Sequence, residues 1–116
     1  MTSPRLRLAS DGPFAPGDSV EGSVTFSAPP SDNDVVVRLS AVDLVHGTKI
    51  YRVLASAPLE CATAGEFAFA LRVPEDACAP PEPYGPDDPI EATAFAVTLQ
   101  IARVGRAECF VRVYPS

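Results

Sequence analysis

The single histidine is the first residue of this chain to consider for catalysis. His46 precedes Gly47 in a turn-like pattern, and no serine or cysteine has a Gly-x-Ser-x-Gly setting or a base partner. The sequence also lacks a glycine-rich phosphate loop. We therefore predict that the protein is not an enzyme, that it carries no cofactor, and that His46 is a turn residue.

The three cysteines and the histidine are a poor set of zinc ligands. Cys61, Cys78 and Cys109 are an odd number without C-x-x-C spacing. We predict reduced thiols that serve mainly structural purposes.

Carboxylates in two predicted loops could instead form a calcium site. Asp32 and Asp34 lie in one polar segment, and the pair Asp87 and Asp88 lies in another. Calcium prefers several carboxylate oxygens from a loop cluster. Aspartate is also a common turn residue, and the turn interpretation is the simpler one.

Charge and hydropathy exclude several classes of partner. The net charge of −6 repels nucleic-acid phosphates and anionic lipid headgroups. No apolar run reaches the roughly 18 residues of a membrane helix, and residues 1–9 lack the apolar region of a signal peptide. We expect a cytoplasmic protein with no nucleic-acid partner and no membrane insertion.

The stretch from Phe14 to Phe26 sets the predicted architecture. Pro16 and Gly17 indicate a turn, after which apolar and polar residues alternate in the manner of a half-buried strand. Gly22 falls on the apolar side of this strand. We predict that it is a packing site, where a large side chain from a facing sheet or another backbone approaches closely.

The same alternation predicts strands along the rest of the chain. These cover residues 5–8, 35–45, 49–55, 66–73, 90–103 and 107–114, with a hairpin turn at Gly47 and Thr48 and an ambiguous segment at 57–64. A bulge near Ser40 and Ala41 would turn Val42 and Leu44 inward. Residues 90–103 also permit a helix, but their β-branched side chains favour a strand.

These strands predict one domain over residues 4–115. The fold class is all-β: an antiparallel, immunoglobulin-like two-sheet sandwich of about seven strands with no long helix. The chain has no tryptophan, and its cysteines are not spaced like an inter-sheet disulfide, so the domain is not of the antibody type. We expect Phe67 and Phe69 in a core with Val20, Val24, Phe26, Val97 and Leu99.

The order of these motifs resembles that of the amino-terminal domain of arrestins. The matching pieces are Phe14-x-Pro16-Gly17-Asp18-x-Val20-x-Gly22-x-Val24, residues 35–39, residues 65–74 and, after a proline-rich gap, Ile90-x-Ala92. Retromer cargo-binding subunits and bacterial sporulation-control proteins share this domain. In two respects we expect a departure from the family: a single sandwich in place of two, and Glu91 or Ala92 where an aromatic is usual.

The resemblance implies an adaptor without an active site that binds protein tails through grooves and strand edges. In receptor arrestins, basic residues of the first strand sense phosphates, and Arg5 and Arg7 match that location. No basic cluster stands beside them in this chain. Two solvated arginines on an edge strand are the alternative interpretation.

Two segments are candidate interaction sites. Ala92, Ala94 and Ala96 would make the outward side of the strand at residues 90–103 small and apolar where sheets usually carry charges. Tyr84, flanked by Pro81 and Pro83, lies in the acidic, proline-rich segment 74–89, which serves as either a recognition segment or a spacer.

Together these features predict a bacterial scaffold or adaptor that binds a protein partner or forms a homodimer through a sheet edge or face. A small sandwich module that binds a small ligand or calcium is the alternative.

Overall fold

The computed structural model describes residues 5–10, 12–25, 36–63, 66–79, 81–101 and 105–114, where all regular structure is β-strand. The strands are β1 (Arg5–Leu8), β2 (Ser19–Thr25), β3 (Val36–Val45), β4 (Thr48–Pro58), β5 (Glu60–Thr63), β6 (Glu66–Arg72), β7 (Ala92–Ile101) and β8 (Gly105–Val111). This confirms the all-β prediction.

The strands form two antiparallel sheets that pack face to face. The first sheet has the order β1-β2-β6-β5, and the second has the order β4-β3-β7-β8. Only Leu59 separates β4 from β5, so the chain passes from the second sheet to the first within the ambiguous segment 57–64. Counted as one strand that changes sheets, β4 and β5 bring the total to the predicted seven.

Alternate residues of both sheets build the core. The buried apolar set includes Val20, Val24, Val37, Leu39, Phe69, Leu71, Val97 and Leu99, and Phe67 packs against it while half-buried. Phe26, also predicted in the core, lies outside the described residues. This alternation confirms the predicted phases of β2, β6 and β7.

Gly22 is a packing site, as predicted, although the large side chain comes from a neighbouring strand of the same sheet. Phe69 is its cross-strand partner in β6. A Cβ atom built on Gly22 would lie 2.7 Å from Cζ of Phe69 and closer still to the carbonyl oxygen of Arg7. The absence of a side chain therefore lets the Phe69 ring lie across β2.

The hairpin between β3 and β4 turns at His46 and Gly47. Both residues have positive φ, 51° and 78°, as a two-residue type I′ turn requires. A histidine with positive φ is uncommon, and the turn holds its ring at one end of the sandwich.

The predicted irregularity in β3 has a different form. The register between β3 and β4 shifts between Leu39 and Ser40, but the extra residue, Leu54, lies in β4. β3 keeps its alternation against β7, so Ala41 and Asp43 continue the inner face. The prediction that Val42 and Leu44 turn inward is therefore wrong, because the bulge belongs to the partner strand.

Candidate interaction surface

The outward side chains of the second sheet form a surface that we call the alanine face. Its floor comes from β7 and β3: Ala92 and Ala94 are exposed, whereas Ala96 is 0% exposed and Ser40 and Val42 are also buried. Ala96 lies between Ser40 and Phe110 in the strand register. A partner on this face would therefore touch Ala92 and Ala94 but not Ala96.

Large apolar side chains of the two edge strands stand beside this floor. Val53 and Tyr51 project from β4, and Phe110 projects from β8. Val53 is 57% exposed, Phe110 51% and Tyr51 37%. None of these residues was predicted as an interaction residue, although the apolar Tyr51 and Val53 at successive outward positions of β4 were a usable signal.

Cations border the apolar residues of the alanine face. Lys49 Nζ lies 5.7 Å from the centre of the Phe110 ring, and the Arg106 guanidinium lies 5.3 Å from that of Tyr51. Both distances fit cation–π contacts. Glu108 accepts hydrogen bonds from the Tyr51 hydroxyl at 2.7 Å and from Arg106 at 2.9 Å. The bond to Glu108 raises the pKa of Tyr51, so this phenol stays protonated.

The tyrosine of the proline-rich loop is exposed, but it is also bonded to the sandwich. Tyr84 is 44% exposed, but its hydroxyl donates a hydrogen bond of 2.8 Å to the buried carboxylate of Asp43. Pro83 is exposed, whereas Pro81 is half-buried and lines a cavity of about 240 Å³ with Cys78 and Thr93. Tyr84 therefore anchors the loop to the sandwich.

Asp43 is the centre of a polar cluster that the sequence pattern did not reveal. Its side chain is 0% exposed and accepts hydrogen bonds from Tyr84, from Thr93 at 2.8 Å and from two nitrogens of Arg52. Burial alone would raise the pKa of Asp43, but the hydrogen bonds from Arg52, Tyr84 and Thr93 outweigh it and hold that pKa below its ordinary value. The carboxylate is thus charged and fully engaged.

His46 joins the hairpin to the same loop. Its Nε2–H donates to the carbonyl oxygen of Asp87 at 2.8 Å and to the carboxylate of Asp88 at 3.0 Å, while its backbone N–H donates to Glu91. The Asp87 carbonyl and the Asp88 carboxylate raise the pKa of His46. These contacts give the histidine a structural role at a turn and offer it no nucleophile.

The possible metal ligands do not assemble among the residues described. No group of three His, Cys, Asp or Glu side chains there could hold a metal ion. Asp87 and Asp88 lie near His46, while Asp32 and Asp34 of the suggested calcium site fall outside the described residues. The side chain of Cys61 is likewise outside them.

A second concave surface lies on the outer side of the first sheet. We call it the acidic groove: it encloses about 560 Å³, with Ser23, Ala68 and Ala70 among its lining residues. Arg7 stands at one border and Glu60 at the other. Arg5 also lies on β1, so the arginines suggested for phosphate sensing belong to an edge strand whose neighbouring groove is mostly acidic.

In comparisons with known proteins, no protein-family model and no curated protein matches the chain. Within the described residues, no helix has the length and apolar character needed to cross a membrane.

Proposed function

We propose that this domain is a non-catalytic scaffold or adaptor that binds another protein, or a second copy of itself, through the alanine face. The observation that carries the proposal is the exposure of Tyr51, Val53 and Phe110. Tyr51 is in register with Ala94. Val53 and Phe110 lie on either side of the buried Ala96, which is next to Ala94 along the same side of the strand. Exposed apolar patches with a polar or charged border are typical of protein-binding surfaces.

The shape of the face favours a macromolecule over a small ligand. A hollow on this face, bordered by Arg38, Tyr51 and Val53, measures about 250 Å³. Sites for drug-sized ligands usually enclose about 300–1,000 Å³ and bury most of the ligand. A shallow surface with exposed aromatic side chains provides contact area for another protein instead. Tyr is also among the residues enriched at the positions that contribute most to the affinity of protein interfaces.

The strand edges add a second means of binding. β4 and β8 are the outer strands of the second sheet, and each is seven residues or longer. An extended segment of a partner could pair with such an edge and contact the alanine face with its side chains. This mode agrees with the adaptor role that the arrestin resemblance implies, in a bacterial and cytoplasmic setting.

The substitution Ala94→Glu tests the proposal directly. It places a carboxylate on the exposed floor, so we expect a folded protein by circular dichroism that sediments as a smaller species or loses the protein that co-purifies with the wild type. Ala79→Glu is the matched control, because Ala79 is an exposed alanine in the proline-rich loop. Wild-type behaviour of Ala94→Glu in both assays would contradict the proposal.

The loop residues Pro81, Pro83 and Tyr84 remain a subsidiary proposal for partner recognition. Because Tyr84 is bonded to Asp43, deleting the loop would disturb the fold as well as any contact. Pro83→Glu changes an exposed position and leaves the anchor in place. Unchanged partner retention by this variant would assign the loop a spacer role.

The alternative of a ligand- or calcium-binding module has its own test. A ligand that binds only the native state raises the melting temperature by mass action. A rise of several degrees with Ca²⁺, absent with Mg²⁺, would support that alternative over the scaffold.

A further inference from the structure

The acidic groove crosses the whole width of the first sheet. Arg7, Ser23, Ala68 and Glu60 are successive cross-strand neighbours on β1, β2, β6 and β5. The two central positions carry small side chains, and the outer two carry long charged ones. The floor is therefore low and the borders are high, which produces the hollow of about 560 Å³.

The groove and the alanine face carry opposite charge. Glu21, Glu60 and Glu66 line the groove against the single cation Arg7, so its charge is −2. The alanine face presents Arg38, Lys49 and Arg106 against the single carboxylate Glu108, which gives +2. The negative charge is local to the groove, because Arg5 and Arg72 at other exposed outward positions of the first sheet balance it over the sheet as a whole.

The two surfaces are also complementary in shape. Val53 projects from the edge strand β4 and forms an apolar ridge together with the exposed part of the Tyr51 ring, whose hydroxyl extends across the sheet to Glu108. The groove has a floor of small residues. Lys49 continues the ridge in β4 and would meet the carboxylates that border the groove. When surfaces of opposite electrostatic potential meet, one relative orientation of the two molecules is favoured and others are disfavoured.

Within one molecule the surfaces cannot meet, because they lie on opposite outer sides of the sandwich. We propose that the occupant of the acidic groove is the β4 ridge of a second copy, an inference that rests on the proposed function of the alanine face. In a pair of copies joined in this way, one copy keeps a free groove and the other keeps a free ridge. A contact of this head-to-tail kind that does not close into a ring produces an open chain of subunits.

Two substitutions test the ridge and the groove of this contact one at a time. Val53→Glu places a carboxylate on the exposed ridge, where it would face the acidic groove, and Ala70→Arg fills the groove with a cation that would face the basic ridge. Neither position is buried. Tyr114→Glu and Ala79→Arg are matched controls at exposed positions outside both surfaces.

Sedimentation velocity over a range of concentrations gives the readout. We expect the wild-type mass to rise with concentration beyond that of a dimer, both test variants to stay monomeric, and both controls to resemble the wild type. An equimolar mixture of Val53→Glu and Ala70→Arg should yield a dimer and nothing larger, because one intact ridge meets one intact groove. Should either variant unfold by circular dichroism, Lys49→Glu and Glu60→Lys replace it at exposed charged positions.

The proposal is overturned if the wild type is monomeric throughout, if it stops at a symmetric dimer, or if the mixture remains monomeric. These outcomes leave the proposed function separately testable. A monomeric wild type whose co-purifying protein is lost on Ala94→Glu substitution would retain the scaffold function and exclude only the second copy as occupant.

Discussion

Asp43 is the residue on which the polar contacts at one end of the sandwich converge. Burying a carboxylate is costly unless hydrogen bonds and an opposite charge compensate it. Four hydrogen bonds from Arg52, Thr93 and Tyr84 provide that compensation and connect β3, β4, β7 and the proline-rich loop. The described residues contain no buried side-chain nitrogen or oxygen without a partner.

The substitution Asp43→Asn should lower the free energy of unfolding at pH 7 by about 2 kcal/mol. The cost stays moderate because Arg52 is 37% exposed and water can hydrate its guanidinium once the carboxylate is lost. Urea denaturation checks the value. An unchanged midpoint would show that the cluster adds nothing to stability.

The difference in stability between the wild type and Asp43→Asn should also depend on pH. The folded pKa of Asp43 is lowered, so its contribution is present above the unfolded value of about 3.9 and is lost as pH falls through the folded value. We expect the stability difference between wild type and Asp43→Asn to narrow when urea denaturation is repeated below about pH 4. A difference that stays constant or widens in acid would contradict the assigned sign.

A further prediction concerns the contribution of Phe69 to the stability of the core. It is 5% exposed and lies across Gly22, so Phe69→Ala should cost about 3–5 kcal/mol through lost burial and the cavity left behind. Phe110→Ala removes the same side chain from an exposed position and should cost about 0.5–1 kcal/mol, mainly its contact with Lys49. Thermal denaturation of both variants measures the contrast, and equal costs would place Phe69 outside the core.

Among the strands, those with strict alternation were predictable from the sequence. β2, β6 and β7 place Val20, Phe69 and Val97 inward as their period of two requires. The inward face of β3 was not predictable in the same way. The residue that interrupts its pairing, Leu54, belongs to β4, so the sequence of β3 itself gives no sign of the bulge. As a result Asp43, which alternation places inside, was not recognised as a buried group.

The candidate surface was predictable only in part for a similar reason. The run of Ala92, Ala94 and Ala96 is visible in the sequence, but the strand order that brings Tyr51 and Phe110 beside it is not. Phe110 lies on β8, which follows β7 directly, but Tyr51 reaches this face only because β3, the hairpin partner of β4, pairs with β7 from a distant part of the sequence. The bond that anchors Tyr84 was not predictable for the same reason, since its partner Asp43 lies 41 residues away.

The loop and the hairpin are joined through His46, and this junction should depend on pH. The folded pKa of His46 is raised, so its contribution is fully present below the unfolded value of about 6.5 and is lost as pH rises through the folded value. A proton NMR titration should place the pKa of His46 above about 6.5.

Asp88→Asn should lower the pKa of His46 only in part, because the carbonyl of Asp87 still accepts the Nε2 proton. Asp76→Asn, in the same loop but without a contact to His46, is the control. A His46 pKa at or below its ordinary value in the wild type would mean that the junction does not form in solution.

Over the whole molecule, the distribution of charge matters more than its sum. The net charge of −6 alone would keep copies apart through mutual repulsion. Association through a basic ridge and an acidic groove must therefore gain enough at short range to exceed that repulsion. Added salt weakens both effects, since the screening length falls from about 10 Å at 0.1 M to about 3 Å at 1 M.

The balance between these effects gives a prediction for the salt dependence of assembly. Attraction between groove and ridge acts across the contact, where opposite charges are close, but all these groups are exposed and accessible to ions. We expect the weight-average mass of the wild type to fall when NaCl is raised from about 0.1 M to about 1 M. Val53→Glu, expected to be monomeric in both solutions, provides the reference. A mass that rises with salt would mean that apolar contact or relief of the overall repulsion dominates, and the pairing of charges would then not be what selects the partner.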